Sequence, residues 1–186
     1  MPLTKLDSVV ALVVIDLQKG VIALPAVHPI SEIVGRCAQL ARAFRERGLP
    51  VVLVNASGRP PGRTDAGMRK FSFPPDWTDL IPELEQHPGD HLVTKQRRSA
   101  FHDTGLDAQL RGLGVTQVVL TGISTTSGVE STARSAYDHG YHVVLATDAM
   151  TDTDPDAHAN SIERIFPKLG ETASTAEILD MLGRTK

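Results

Sequence analysis

A single cysteine, Cys37, stands in 186 residues. One thiol forms neither an intrachain disulfide nor a cysteine-rich zinc site. No apolar run approaches the roughly 20 residues needed to span a bilayer. The N-terminal stretch MPLTKLDSVVALVVIDLQ has no signal-peptide layout, because its apolar run ends in Asp16 rather than a small-residue cleavage site. A cytoplasmic location is the resulting expectation. Excess positive charge is absent too: the formal net charge is −3, which argues against a nucleic-acid coat or an anionic-membrane binder. The one basic run, KQRR at Lys95 to Arg98, is short and reads as a site wall or a solvated loop. No internal repeat, low-complexity tract or linker divides the chain. Residues 1–186 are therefore expected to form one domain, long enough for a sizeable core.

What the chain does contain is an alternation of strand-like and helical patterns. VVALVVID, LPVVLVNA, DHLVTK, TQVVLTGI and YHVVLATDA read as strands, with a brief sixth near Glu171 to Ala173. Helical patterns lie between them, in SEIVGRCAQLARAFRERG, TGLDAQLRGLG, residues 126–139, PDAHANSIERIFPKLG and STAEILDML. Near-continuous Val, Ile and Leu strands separated by helices predict a three-layer, doubly wound α/β fold with a parallel sheet covered on both faces. Ile30, Ile33, Val34, Cys37, Leu40, Ala41 and Phe44 share one helical face, which assigns Cys37 to the core as an inert thiol. Ser31 and Ser174 are candidate N-caps, with Glu177 spaced for a capping box after Ser174. The long irregular stretch Ser57 to Asp79 reads as a lid, a partner-binding arm or a solvated insertion.

Ligands of open parallel sheets bind beyond the carboxyl ends of the strands. Three features converge there: Asp16 after the first strand, Lys95 after the third, and the turn GISTTSG after the fourth. An acid and a base at separate strand ends, meeting at a helix N-terminus, make a candidate catalytic site. Thr125, Thr126 and Ser127 read as helix-capping residues rather than nucleophiles. Glu130 is either a solvated helix residue or a group that reaches the site. None of the seven histidines falls in an HExxH pattern. His102 reads as a surface residue near the site rim.

The segment GISTTSGVESTAR, residues 122 to 134, resembles the nucleophile turn of the isochorismatase-like (cysteine hydrolase) superfamily, G-[VI]-x-T-x-x-C-V-x-x-T-A-R. VVIDLQ, KQRRSAF, TGLDAQLRGLG, ATDAMTD and FPKLGETASTAEIL extend the resemblance over nearly the whole chain. Aligned on Thr125, Val129, Thr132, Ala133 and Arg134, Gly128 stands where the family has its cysteine. The resemblance implies a six-stranded sheet in the order 3-2-1-4-5-6 and a non-proline cis peptide between Ile123 and Ser124. It further implies a polar centre of Asp16 and Lys95, with the amides of Ser124 and Gly128 as the oxyanion hole. Gln18 and Ser127 complete the candidate oxyanion or substrate contacts. With no thiol at Gly128, three readings stay open. One is an isochorismatase-type enzyme in which Asp16 protonates an enol ether. Another is a different cysteine-independent hydrolase, and the third is a non-catalytic small-molecule binder. The nicotinamidase branch of the superfamily carries an Asp/His metal set after the second strand. Here that region, VNASGRPPGR, has no histidine, so neither metal nor cofactor is expected. A homo-oligomer, dimer or tetramer, is expected.

Overall fold

The computed structural model describes residues 3–65 and 74–184. Residues 66–73 of the irregular stretch lie outside them. Six strands form one sheet: β1 (Val10–Ile15), β2 (Val51–Ala56), β3 (His91–Lys95), β4 (Gln117–Ile123), β5 (His142–Thr151) and β6 (Glu171–Ala173). Their order is β3-β2-β1-β4-β5-β6, and every neighbouring pair is parallel. The order expected from the resemblance is therefore present. It puts β1 and β4 side by side at the centre, where the direction of winding reverses and a crevice opens at the carboxyl ends.

Helices α1 (Lys19–Ile22), α2 (Ile30–Glu46), α3 (Leu106–Gly112), α4 (Glu130–Asp138), α5 (Pro155–Asn160) and α6 (Thr175–Arg184) complete the frame. The two faces of β1 go to two separate cores, because side chains alternate along a strand. Leu12 and Val14 pack with Ile33, Cys37, Leu40 and Phe44 of α2 and with Ile178 and Leu182 of α6. Ala11, Val13 and Ile15 pack with Leu106 and Leu110 of α3 and with Ala133 and Ala136 of α4. Both faces of the central strand are thus dry, as an all-parallel sheet requires. Among the described residues, no helix is long and apolar enough to cross a membrane.

Cys37 is fully buried, and its thiol donates to the Ala149 carbonyl at 3.3 Å. Burial pushes that thiol up to about 12, so it stays protonated and unreactive. The capping box forms as expected: Ser174 N donates to Glu177 Oε2 at 2.7 Å, and Glu177 N to Ser174 Oγ at 3.3 Å. Ser31 does not cap α2. The helix begins at Ile30, with Pro29 rather than Ser31 at the cap position, so Ser31 falls inside the first turn. Two helical patterns are also less regular than the sequence suggests. The helix expected over residues 126–139 opens with a π-helical turn, Thr125–Val129, before α4. The PDAHANSIERIFPKLG helix divides into α5, a π turn and a short 3-10 turn.

Candidate active site

Asp16 follows the last residue of β1 and adopts φ +51°. That left-handed conformation is uncommon for a residue with a Cβ, though aspartate visits it more readily than most. It turns the carboxyl into the crevice. Lys95 ends β3 in register with Ala56, the small residue that ends β2 between them. The lysine reaches across, and its Nζ donates to Asp16 Oδ2 at 2.7 Å. Both groups are buried, with Asp16 7% and Lys95 3% exposed. Asp16 Oδ1 is buried without a hydrogen-bond partner among the described residues. Burial raises the Asp16 carboxyl to about 6, against the opposing charge and hydrogen bond of Lys95. Desolvation therefore outweighs the ion pair here.

The turn that faces this pair begins at Gly122. Its φ is +111°, and a Cβ there would lie 2.0 Å from the Ile15 carbonyl, so only glycine lets β4 approach β1 this closely. The Ile123–Ser124 peptide bond is cis, as the resemblance implies. The Ser124 carbonyl then accepts from the amides of Ser127, at 3.2 Å, and Val129, at 3.1 Å. Thr132 Oγ1 donates to the Gly128 carbonyl and accepts from Ala100 N, which ties the turn to the segment after Lys95. A Cβ added to Gly128 would sit 3.2 Å from Asp16 Oδ2 and 2.8 Å from Ile15 Cγ2. Gly128 thus faces the carboxylate directly.

Asp16, Lys95, Ser124, Ser127 and Gly128 all line one cleft of about 740 Å³, with Val21, Leu24, Ala56, Trp77 and Ile123 among its other walls. A second hollow of about 550 Å³, lined by Leu53, Asn55, Leu80 and Thr94 among others, contains neither Asp16 nor Lys95. Gln18, expected as a substrate contact, does not line the cleft. It is fully buried, and its amide is occupied: Nε2 donates to the carbonyls of Ala56 and Trp77, and Oε1 accepts from Ala56 N. Its part is to hold the end of β2. Nor do Thr125, Thr126 and Ser127 cap the helix that follows. The cap comes from Asp152, whose Oδ2 accepts from both N and Oγ1 of Thr126 at 2.8 Å. Thr125 Oγ1 instead pairs with His158 Nδ1 at 2.9 Å, and Ser127 Oγ accepts from Arg98. Glu130 is held away by Arg134 and by Ser161 Oγ. His102 is exposed beside Asp103 and is absent from the cleft lining.

Sequence reasoning missed Asp152 and His158. Asp152 carried the same signal as Asp16, an aspartate closing an apolar strand. His158 carried none, since its partner Thr125 is 33 positions away. Among the described residues, no group of three or more His, Cys, Asp or Glu is placed to hold a metal ion.

Residues 10–177 match the isochorismatase domain. The chain belongs to the isochorismatase family. It is 38% identical over 182 residues to the uncharacterised isochorismatase family protein YecD of Escherichia coli O157:H7, covering 92% of this chain and 95% of that protein. An isochorismatase family protein from Burkholderia thailandensis shares its structure with a TM-score of 0.92 at 41% identity, covering 96% of this chain and 98% of the other. Ureidoacrylate amidohydrolase RutB of Pantoea ananatis is 36% identical over 118 residues, 62% of this chain and 47% of that enzyme. The isochorismatase family thus includes hydrolases, and this member shares their domain over most of its length.

Proposed function

We propose that this protein is a cysteine-independent hydrolase of a small molecule, with Asp16 as its acid and base. The observation that carries the reading is the Asp16 carboxyl. It is raised to about 6 by burial and faces a glycine where the superfamily turn has its thiol. A carboxyl near 6 holds a proton to donate under mildly acidic to neutral conditions. Gly128 offers no nucleophile, so water must supply the attacking oxygen.

The reaction class that suits this equipment is enol-ether hydrolysis of the isochorismate type. Asp16 delivers its proton to the terminal carbon of the C=C bond, and the ether-bearing carbon becomes oxocarbenium-like. Water adds there and yields a proton to the Asp16 carboxylate. The hemiketal then breaks its C–O bond, releasing a ketone and an alcohol, and no cofactor enters the balance. Lys95 keeps Asp16 from rising further and offsets its charge once the proton has left. The amides of Ser124 and Gly128 are the proposed contacts that hold the substrate's own oxygens beside Asp16, since the enol-ether route builds positive rather than negative charge on the reacting carbon. The same reading includes a homo-oligomer in the cytoplasm, without cofactor or metal.

Steady-state hydrolysis of isochorismate, followed across pH, tests this reading. Activity should be highest with Asp16 protonated and decline as pH rises through about 6, with Asp16→Asn inactive. A rate that Asp16→Asn leaves unchanged would overturn it.

A further inference from the structure

His158 and His28 form a pair behind the turn that faces Asp16. Their ring centroids lie 4.8 Å apart, with the rings tilted by 60°. His158, on α5, is buried, and its Nδ1 meets Thr125 Oγ1 at 2.9 Å. His28, in the loop before α2, meets Thr151 Oγ1 twice, through its backbone N at 3.2 Å and its ring Nδ1 at 3.0 Å. Thr151 stands in register with Ile123, the residue before Ser124. The two rings thus bracket Ser124: one secures the strand neighbour of Ile123, the other secures Thr125. His28, His158, Thr125 and Thr151 are absent from the cleft lining, whereas Ser124 and Gly128 belong to it. A buried histidine is often no more than a satisfied core residue. This one is bonded to the first residue of the π-helical turn that ends in Gly128 and Val129.

Burial lowers the His158 imidazole from its ordinary 6.5; the His28 ring adds to the effect, and Asp152 opposes it. The ring is therefore mostly neutral at about pH 7. The carboxylates around it come from three elements, and each has its own partners. Asp152, just after β5, holds Thr126. Asp154 caps α5 through the amides of Asp156 and Ala157. Glu130 of α4 is held by Arg134 and Ser161.

We infer that His158 is a positioning residue for the reaction centre: acting through Thr125, with His28 packed against it as a brace, it holds the amides of Ser124 and Gly128 in the cleft wall facing Asp16. A neutral imidazole has one bare nitrogen and one N–H, so it matches the Thr125 hydroxyl as acceptor or as donor. Protonation puts N–H on both nitrogens, removes the acceptor and leaves a charge in a buried site. The turn should therefore loosen as the ring protonates. The inference rests on the hydrolase reading only in calling the turn part of a reaction centre, because its amides are observable without turnover.

Amide and histidine-ring NMR spectra of the whole chain, with isochorismate turnover measured beside them, test the inference. The pH series is run in Asp16→Asn, so that the carboxyl near 6 contributes nothing. In that background the Ser124 and Gly128 amide signals should follow the His158 ring titration, while those of Ile178 and Leu182 in α6 should not. In the Asp16 parent, His158→Ala should displace the same two amides and lower kcat about 10-fold, the scale of one buried hydrogen bond. His158→Asn puts an amide where Nδ1 stands. It should restore amide positions and kcat, and in Asp16→Asn it should abolish the pH-dependent shift. If His158→Ala fails to fold, Thr125→Val answers the same question: it keeps the ring and should free the Gly128 amide from its titration. Ser124 and Gly128 amides that ignore the ring titration, or that keep their positions in folded His158→Ala, would overturn the inference. So would His158→Asn with the kcat of His158→Ala. A parent without isochorismate turnover, whose amides still follow the ring, would sink the hydrolase reading alone. Asp16-dependent turnover with amides indifferent to His158 would sink this inference alone.

Discussion

Two ion pairs in this molecule, one half-buried and one buried, look alike by distance and differ in everything else. Arg45 Nη2 lies 2.8 Å from Asp90 Oδ2, and Lys95 Nζ lies 2.7 Å from Asp16 Oδ2. Asp90 is fully satisfied. Arg45 meets it with two parallel bonds, from Nε to Oδ1 and from Nη2 to Oδ2, and His87 N adds a third. Asp16 has one partner, a buried oxygen with none, and a left-handed backbone. The first pair fixes α2 to the turn before β3. The second joins the carboxyl ends of β3 and β1 and opens onto a cleft. Incomplete satisfaction, rather than closeness, separates the two carboxylates, and it is what makes Asp16 the candidate for chemistry.

The largest effect should come from breaking the working pair. Asp16→Asn removes the proton donor and should lower turnover by about 10²–10⁴-fold, the usual worth of general acid–base catalysis, as read by kcat in a folded variant. Asp90→Asn should reverse the pattern. Breaking the bidentate pair should cost about 3 kcal/mol in urea unfolding, with kcat near the parental value.

A pH series sharpens the contrast further. The folded Asp16 carboxyl is raised above its ordinary 3.8 to about 6. The native state therefore favours the protonated form. Stability from this group is full below about pH 4 and is lost as pH rises through about 6. Relative to Asp16→Asn, the parent should lose about 3 kcal/mol over that window, from a shift of about two pH units. A flat difference between the two proteins would contradict the raised carboxyl.

The smallest effect should come from Cys37. Cys37→Ala should cost about 1–2 kcal/mol through lost packing and leave turnover unchanged. Iodoacetamide on the folded protein should likewise have no effect, because the thiol is buried and protonated. Inactivation by either would place the nucleophile in α2. Gly128→Cys extends the series: it restores a thiol facing Asp16, at the cost of displacing Ile15 Cγ2.

Much of this site was legible in the sequence because its residues sit at strand ends, where hydrophobic runs stop abruptly. Asp16 and Lys95 are of that kind, whereas Gly128 lies in the turn five residues past β4 and was legible only through the family motif. The sheet order came from the resemblance and not from periodicity, which says nothing of which strands are neighbours. The misreadings share a physical cause. Gln18, Thr125 and Thr126 stand beside strand ends and turns, yet their partners lie 26 to 59 positions away. A polar side chain beside a turn has the same local signature whether it faces a ligand or a distant carbonyl. The π-helical turns were hidden for a related reason, since one extra residue in a helical turn scarcely disturbs an apolar pattern of 3.6 residues.

Gln18 also bears on how such a cleft can diversify. Its buried amide stitches the end of β2 to Trp77. Further bonds, from Gly20 N to the Trp77 carbonyl and from Lys19 N to the Asp79 carbonyl, secure the same segment to α1. Trp77 lies so close over Gly20 that a Cβ there would fall 1.8 Å from Cδ1. The span between Gly58 and Pro74 is thus bracketed by two fixed anchors. Arg59 and Arg63 lie within that span, whereas Asp16 and Lys95 lie outside it. Substitutions at Arg59 or Arg63 therefore act on the cleft rim, while the Asp16–Lys95 pair is held by strands and bonds that do not pass through the span.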